Sequence, residues 1–80
     1  MKVAVSLFGP ARERAGNEVT IALPDEARAE DVLTALGNQY PQLKDLVESS
    51  RLAANEAFCR PQDPIAEGDR LALIPPVAGG

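Results

Sequence analysis

The sequence predicts an α+β fold: a mixed sheet of about four to five strands, one main helix packed on one face and a short second helix. Three observations carry this. Two segments, KVAVSLF near the start and RLALI near the end, alternate in a two-residue period. One stretch, Ala29 to Tyr40, switches to the helical period. Turn-forming pairs (Gly9-Pro10, Gly16-Asn17, Asn55-Glu56) and the terminator Pro75-Pro76 punctuate the rest.

In Lys2–Phe8, Val3, Val5 and Leu7 share one face and Lys2, Ala4, Ser6 and Phe8 the other, which predicts a strand with one buried side. Gly9-Pro10 ends it, Ala11–Ala15 suits one helical turn, and Gly16-Asn17 turns the chain back. Val19, Ile21 and Leu23 alternate again, so Glu18–Leu23 is a second strand in a hairpin-like antiparallel pair. Ala29, Val32, Leu33, Leu36 and Tyr40 form the stripe of an amphipathic helix, with Glu30 and Asp31 in the first turn where the helix dipole favours negative charge. Gly37 costs that helix about 1 kcal/mol relative to Ala, which predicts a loose last turn. Pro41 suits the start of a second, short helix carrying Leu43, Leu46 and Val47.

Leu52–Ala54 and Ala57–Arg60 flank Asn55-Glu56 as a hairpin, since Asn tolerates left-handed backbone. Pro61–Pro64 reads as loop and Glu67-Gly68-Asp69 as a turn. In the last strand, Arg70–Ile74, Leu71 and Leu73 point inward and Ala72 and Ile74 outward; Pro75-Pro76 ends it because neither residue has an N–H for a ladder. The first and last strands are the most apolar. Placed side by side they are central and parallel, with the long helix crossing one face: a roll of the β-grasp type. Eighty residues make one domain, with 1–74 as its body and 75–80 as an extended tail.

Composition removes many functions. A net charge of −4 argues against nucleic acid or an anionic membrane as partner, because both need a basic face. No apolar run reaches the length of a membrane span, and Met1–Phe8 shows no signal-peptide pattern. The single cysteine, Cys59, has no disulfide partner, which fits the cytoplasm, and reads as a small buried hydrophobe. Without histidine there is no Ser-His-Asp or Cys-His system and no His-based metal site. The expectation is a chain that binds no cofactor or metal and catalyses nothing alone.

The end, IPPVAGG, stands out. Pro75 to Gly80, extended, reach about 20 Å. Pro75 and Pro76 stiffen the base of this arm, and Gly79 and Gly80 lack the Cβ that would bar a narrow slot. A terminal carboxylate so presented can enter a partner's active site, be adenylated there and be attacked by sulfur or nitrogen. A frayed terminus has the same composition, so both readings stand at this point.

LFGPARERAG (Leu7–Gly16), YPQL (Tyr40–Leu43), Asn55-Glu56 and EGDRLALIPPVAGG (Glu67–Gly80), in this order and over nearly the whole chain, resemble the small subunits of molybdopterin synthase, sulfur carriers of the ubiquitin-like β-grasp superfamily. The sequence departs from the family pattern at Gly9-Pro10 and at Ala54, away from the tail. The resemblance implies that an E1-like adenylating enzyme uses ATP to activate Gly80. Sulfur from a sulfurtransferase then makes a thiocarboxylate, and the tail, Pro75 through Val77, Ala78 and Gly79 to Gly80, inserts into the large synthase subunit. There its sulfur passes to precursor Z (cyclic pyranopterin monophosphate), within a heterotetramer of two small and two large subunits. It also implies a docking patch at Phe8, Phe58 and Ile74, with Arg12 near the interface. The plainer alternatives are Phe8 as ordinary core, although alternation places it outward, Arg12 as a solvated charge, and Asn55 and Gly68-Asp69 as turn residues. Rival readings are a carrier for thiamine, cysteine or tRNA thiolation, a ubiquitin-like modifier, and a plain binding domain. Pro41–Val47 argues against the thiamine type, which usually lacks a second helix.

Overall fold

In the computed structural model, which describes residues 1–76, the two alternating ends of the sequence lie side by side. β1 (Lys2–Leu7) runs parallel to β5 (Leu71–Ile74), pairing Val5 with Leu71, Ser6 with Ala72 and Leu7 with Leu73. β2 (Glu18–Ala22) is antiparallel to β1. β3 (Arg51–Ala54) is antiparallel to β5, and β4 (Ala57–Phe58) lies beyond it. The sheet order is β2-β1-β5-β3-β4, the β-grasp arrangement. The helices are α1 (Gly9–Ala15), α2 (Ala29–Gln39) and α3 (Lys44–Ser49), the last entered through a 3-10 turn at Pro41–Leu43.

Alternation decides the layers. Val3, Val5, Leu7, Val19, Ile21, Leu71 and Leu73 point to one side of the sheet and are buried there with Val32 and Leu36 of α2 and with Leu43. Val5, Val32, Leu36 and Leu43 have no exposed surface. The core is aliphatic, as the scarcity of aromatics requires. No helix of the described residues is long and apolar enough to cross a membrane.

Three features differ from expectation. The link between β1 and β2 is a seven-residue helix rather than one turn. Pro10 stops the strand and also sits in the first helical turn, where its missing N–H leaves no bond unmade. The described residues thus form three α-helices. β4 ends at Phe58 instead of Arg60, because the Asp63 carboxylate accepts the Arg60 N–H at 2.8 Å and bends the chain into the Arg60–Asp63 turn. The last turn of α2 is not loose: Gly37 is buried in regular helix against Lys44.

The loop after β4 closes the start of α2. The Asp63 and Pro61 carbonyls accept the N–H groups of Ala29 and Glu30 at 2.8 and 2.9 Å, and the Asp31 carboxylate accepts the Arg28 N–H at 2.8 Å. Donors that every helix start leaves open are met this way. The other end of α2 guards the edge strand. The Gln39 amide accepts the Ala22 N–H and donates to the Ala22 carbonyl, both at 3.0 Å, and the Tyr40 hydroxyl donates to the Thr20 carbonyl at 2.9 Å.

The hairpin turn has two residues, Asn55 (φ 53°) and Glu56 (φ 71°), between the paired Ala54 and Ala57. Positive φ at both is the type I′ signature. Asn55 does more than turn: its side chain accepts the Arg70 N–H and donates to the Asp69 carboxylate, each at 3.0 Å. The Ala66 N–H (2.8 Å) and then the Asn55 amide hold the Asp69 carboxyl below its ordinary range. The Arg14 guanidinium, at 2.7 Å, does the same for Asp45.

These features set expected outcomes. Gly37→Ala adds a methyl that meets Lys44 Cγ at 3.6 Å, an ordinary contact; it raises stability by about 0.5–1 kcal/mol, read in urea unfolding. Glu56→Gly relieves the left-handed backbone and gains about 0.5–1 kcal/mol, a rise of several degrees in Tm. For Asp69 the folded pKa lies below the ordinary carboxylate value, so its contribution is present above that ordinary value and lost as pH falls through the folded pKa. Urea midpoints of wild type and Asp69→Asn therefore differ at neutral pH and converge in acid; a gap independent of pH would contradict this.

Candidate functional site

The outer face of the sheet carries the opposite half of each alternating strand. Because Ser6 pairs with Ala72, the chain just beyond brings Phe8 beside Ile74. Because Ala53 pairs with both Ala72 and Phe58, the Phe58 ring arrives from the other side. The result is an open groove of about 380 Å³ between Phe8, Ile74 and Phe58, floored by Ser6, Ala53 and Ala72. Phe8 is 45% and Phe58 54% exposed, the two exposed large hydrophobic residues among those described, and Ile74 is half-buried. Exposed aromatics gathered on one face mark an interaction surface more than a packing accident. Phe8 is therefore not core.

The tail begins at one end of this groove. β5 ends at Ile74, and Pro75 follows directly, half-buried. Its Cγ lies 3.6 Å from where a Cβ on Gly9 would stand, and Gly9 has φ +55°, a conformation that side chains rarely adopt. The departure at Gly9-Pro10 thus lies beside the base of the tail. Pro76 is exposed. Val77, Ala78, Gly79 and Gly80 lie outside the described residues.

Of the sequence-predicted interface, the structure brings together Phe8, Phe58 and Ile74. It does not bring Arg12 into the groove: Arg12 is exposed on α1, and its carbonyl accepts the Gly16 N–H at 2.8 Å. Sequence reasoning missed Arg51, Arg70 and Glu56. Arg70 and Glu56 line the groove, and the Arg51 guanidinium carbon sits 3.9 Å from the centre of the Phe58 ring. Arg51 pairs with Ile74 across the ladder. The alternation that sends Leu52 inward already sent Arg51 outward; its partner in the ladder was the missing information.

Cys59 is half-buried at the margin of the core, and its N–H donates to the Leu52 carbonyl at 2.9 Å. Burial pushes its thiol up, and the nearby Asp63 and Asp69 carboxylates add to the shift. A protonated thiol is a poor nucleophile. What the arrangement can do is bind a protein surface and hold a chain end at a fixed point beside it.

The sequence pattern of the ThiS family matches residues 5–80. The molybdopterin synthase sulfur carrier subunit of Chlamydomonas reinhardtii is 40% identical, over all of both chains. Among solved structures, SAMP1 from Haloferax volcanii superposes with a TM-score of 0.85 at 29% identity, covering all of both chains. A chain from the complex of subunits 1 and 2 of the molybdopterin-converting factor of Helicobacter pylori does so with a TM-score of 0.70 at 26% identity, again over all of both chains. With its sheet order, its groove and a family match over all but the first four residues, the chain belongs to the ThiS family, within the ubiquitin-like β-grasp sulfur carriers.

Proposed function

We propose that this chain is the sulfur carrier of a molybdopterin synthase, with the carboxylate of Gly80 as the working group. The observation that carries the reading is the end-to-end match with a molybdopterin synthase sulfur carrier subunit, tail included. The groove beside Pro75 supports it, since a carrier must dock where its tail begins.

The chemistry follows from the carboxylate. An E1-like enzyme transfers AMP from ATP to Gly80 with loss of pyrophosphate. A persulfide supplied by a sulfurtransferase attacks the acyl carbon and AMP leaves. A second thiol then reduces the acyl disulfide, which frees the thiocarboxylate. Docked through Phe8, Phe58 and Ile74 on the large subunit, the chain donates that sulfur to precursor Z; two donations complete the dithiolene of molybdopterin. A heterotetramer with the large subunit, placed in the cytoplasm, completes the assembly. The Helicobacter pylori neighbour, solved as a complex of subunits 1 and 2, supports a large-subunit partner. ATP belongs to the activating enzyme, and the chain itself supplies docking and positioning.

A second reading has one specific observation behind it. The similarity to SAMP1, whose name elsewhere is small archaeal modifier protein 1, favours conjugation of Gly80 to lysines on other proteins. Both readings share the adenylate and differ in the nucleophile.

The test is intact mass spectrometry of the chain after incubation with ATP, the E1-like enzyme and a sulfur donor. The expected product is heavier by exchange of one oxygen for sulfur, mapped to Gly80, and converts precursor Z when the large subunit is added. Deleting Gly79-Gly80 drops conversion to background while the unfolding midpoint stays unchanged. An unmodified mass under these conditions, with conjugates on a denaturing gel of host lysate, would transfer the assignment to the modifier.

A further inference from the structure

The chain carries net charge −4, yet the rim of its apolar groove is cationic. Arg51 and Arg70 stand there against Glu56. Other arginines are engaged by the fold: Arg14 donates to Asp45 at 2.7 Å and to the Gln42 carbonyl at 3.0 Å, and Arg28 to the Gln62 carbonyl at 3.1 Å. Among the described residues, the guanidinium groups of Arg12, Arg51, Arg60 and Arg70 have neither a hydrogen bond nor an ion pair, and of these Arg51 and Arg70 are the two that stand at the groove. Arg51 is nevertheless held in place, 3.9 Å from the centre of the Phe58 ring and within cation–π range. That contact takes up none of the hydrogen-bond donors of the guanidinium. Its N–H donors lie in the plane of the group and stay available to a partner. Phe58 is thus both the apolar wall of the groove and the platform that orders a cation at its edge.

We propose that Arg51, laid on Phe58, and Arg70 form a cationic rim that selects a docking partner with carboxylates around an apolar contact. Resting on the sulfur-carrier reading, that partner is the large synthase subunit, and its docking face carries acidic residues opposite these two arginines. An acidic protein meeting an acidic face would be repelled at long range. A local rim of opposite sign turns the encounter at this one face into attraction and fixes its register.

The test is calorimetric titration of the full chain with the purified large subunit at low and at high salt, using Arg51→Ala, Arg51→Lys, Arg70→Ala and Phe58→Ala. Arg51→Ala is expected to raise Kd at low salt about three- to tenfold and to flatten the salt dependence. Arg51→Lys restores part of the affinity, since it keeps the charge and loses the fork. Arg70→Ala leaves the Arg51–Phe58 stack intact and flattens the salt dependence as well. Wild-type binding and salt dependence in both alanine variants, with Phe58→Ala weakened, would show that the groove docks but the rim selects nothing. Wild-type binding in all four would overturn the docking role of the groove, and the rim with it.

Discussion

The structure depends on the parallel pairing of its two ends. Val5 opposite Leu71 and Leu7 opposite Leu73 put four aliphatic side chains on one face, and the same register puts Ser6 and Ala72 on the other. Because side chains alternate, a slip of one residue would exchange the faces. The buried row would meet water, and Phe8 and Ile74 would meet α2. The core fixes this register firmly. The outer groove, contributing little to the core, takes its geometry from it. Pairing chain ends costs loop entropy, but that cost grows only slowly with separation. In return the last strand is central, and whatever follows Ile74 leaves from a fixed point.

With its edges closed, the sheet leaves a face rather than an edge open to a partner. β2 would offer free backbone groups to any passing strand, and Gln39 and Tyr40 occupy the outward groups of Ala22 and Thr20. β4, at the other edge, has two residues and turns away at Arg60. Edge protection of this kind is how β proteins avoid pairing with themselves. With both edges blunted, an exposed aromatic pair on the outer face can serve recognition without inviting strand addition.

The alternating and helical segments were legible in the sequence because each is a local pattern with one physical meaning. Val3, Val5, Leu7, Val32 and Leu36 are where periodicity places them. The outward side of Phe8 and Ile74 was legible for the same reason. What sequence did not reveal depends on contacts between distant segments. Gln39 has no local feature that marks it as the cap of an edge strand. Pro61 and Asp63 look like ordinary loop residues until α2 is placed beneath them. Ile65, outside every regular element, is 5% exposed, and its N–H bonds to the distant Ala27 carbonyl. Arg51 is an unremarkable charge until strand pairing lays it on Phe58. Gly37 was misjudged by treating helix propensity as the deciding term, when burial against Lys44 holds the turn.

Under the proposed reading the chain must leave one protein to reach the next. A contact made by two exposed rings and a half-buried isoleucine suits that demand. It is small beside a permanent interface, and residence time is the quantity that such an interface tunes most readily. Specificity must then come from elsewhere than area. Positioning a chain end costs about 1–2 kcal/mol per residue fixed. Pro75 and Pro76 lower that cost because their φ is set before any encounter, and Gly9, without a Cβ, leaves the space beside Pro75 open. Pre-organisation at the base of the tail and charge at the rim of the groove therefore act on different terms. The first raises the yield of each docking event without lengthening it, and the second decides which surface the groove docks against. A larger apolar patch would improve neither, and would slow release from both partners.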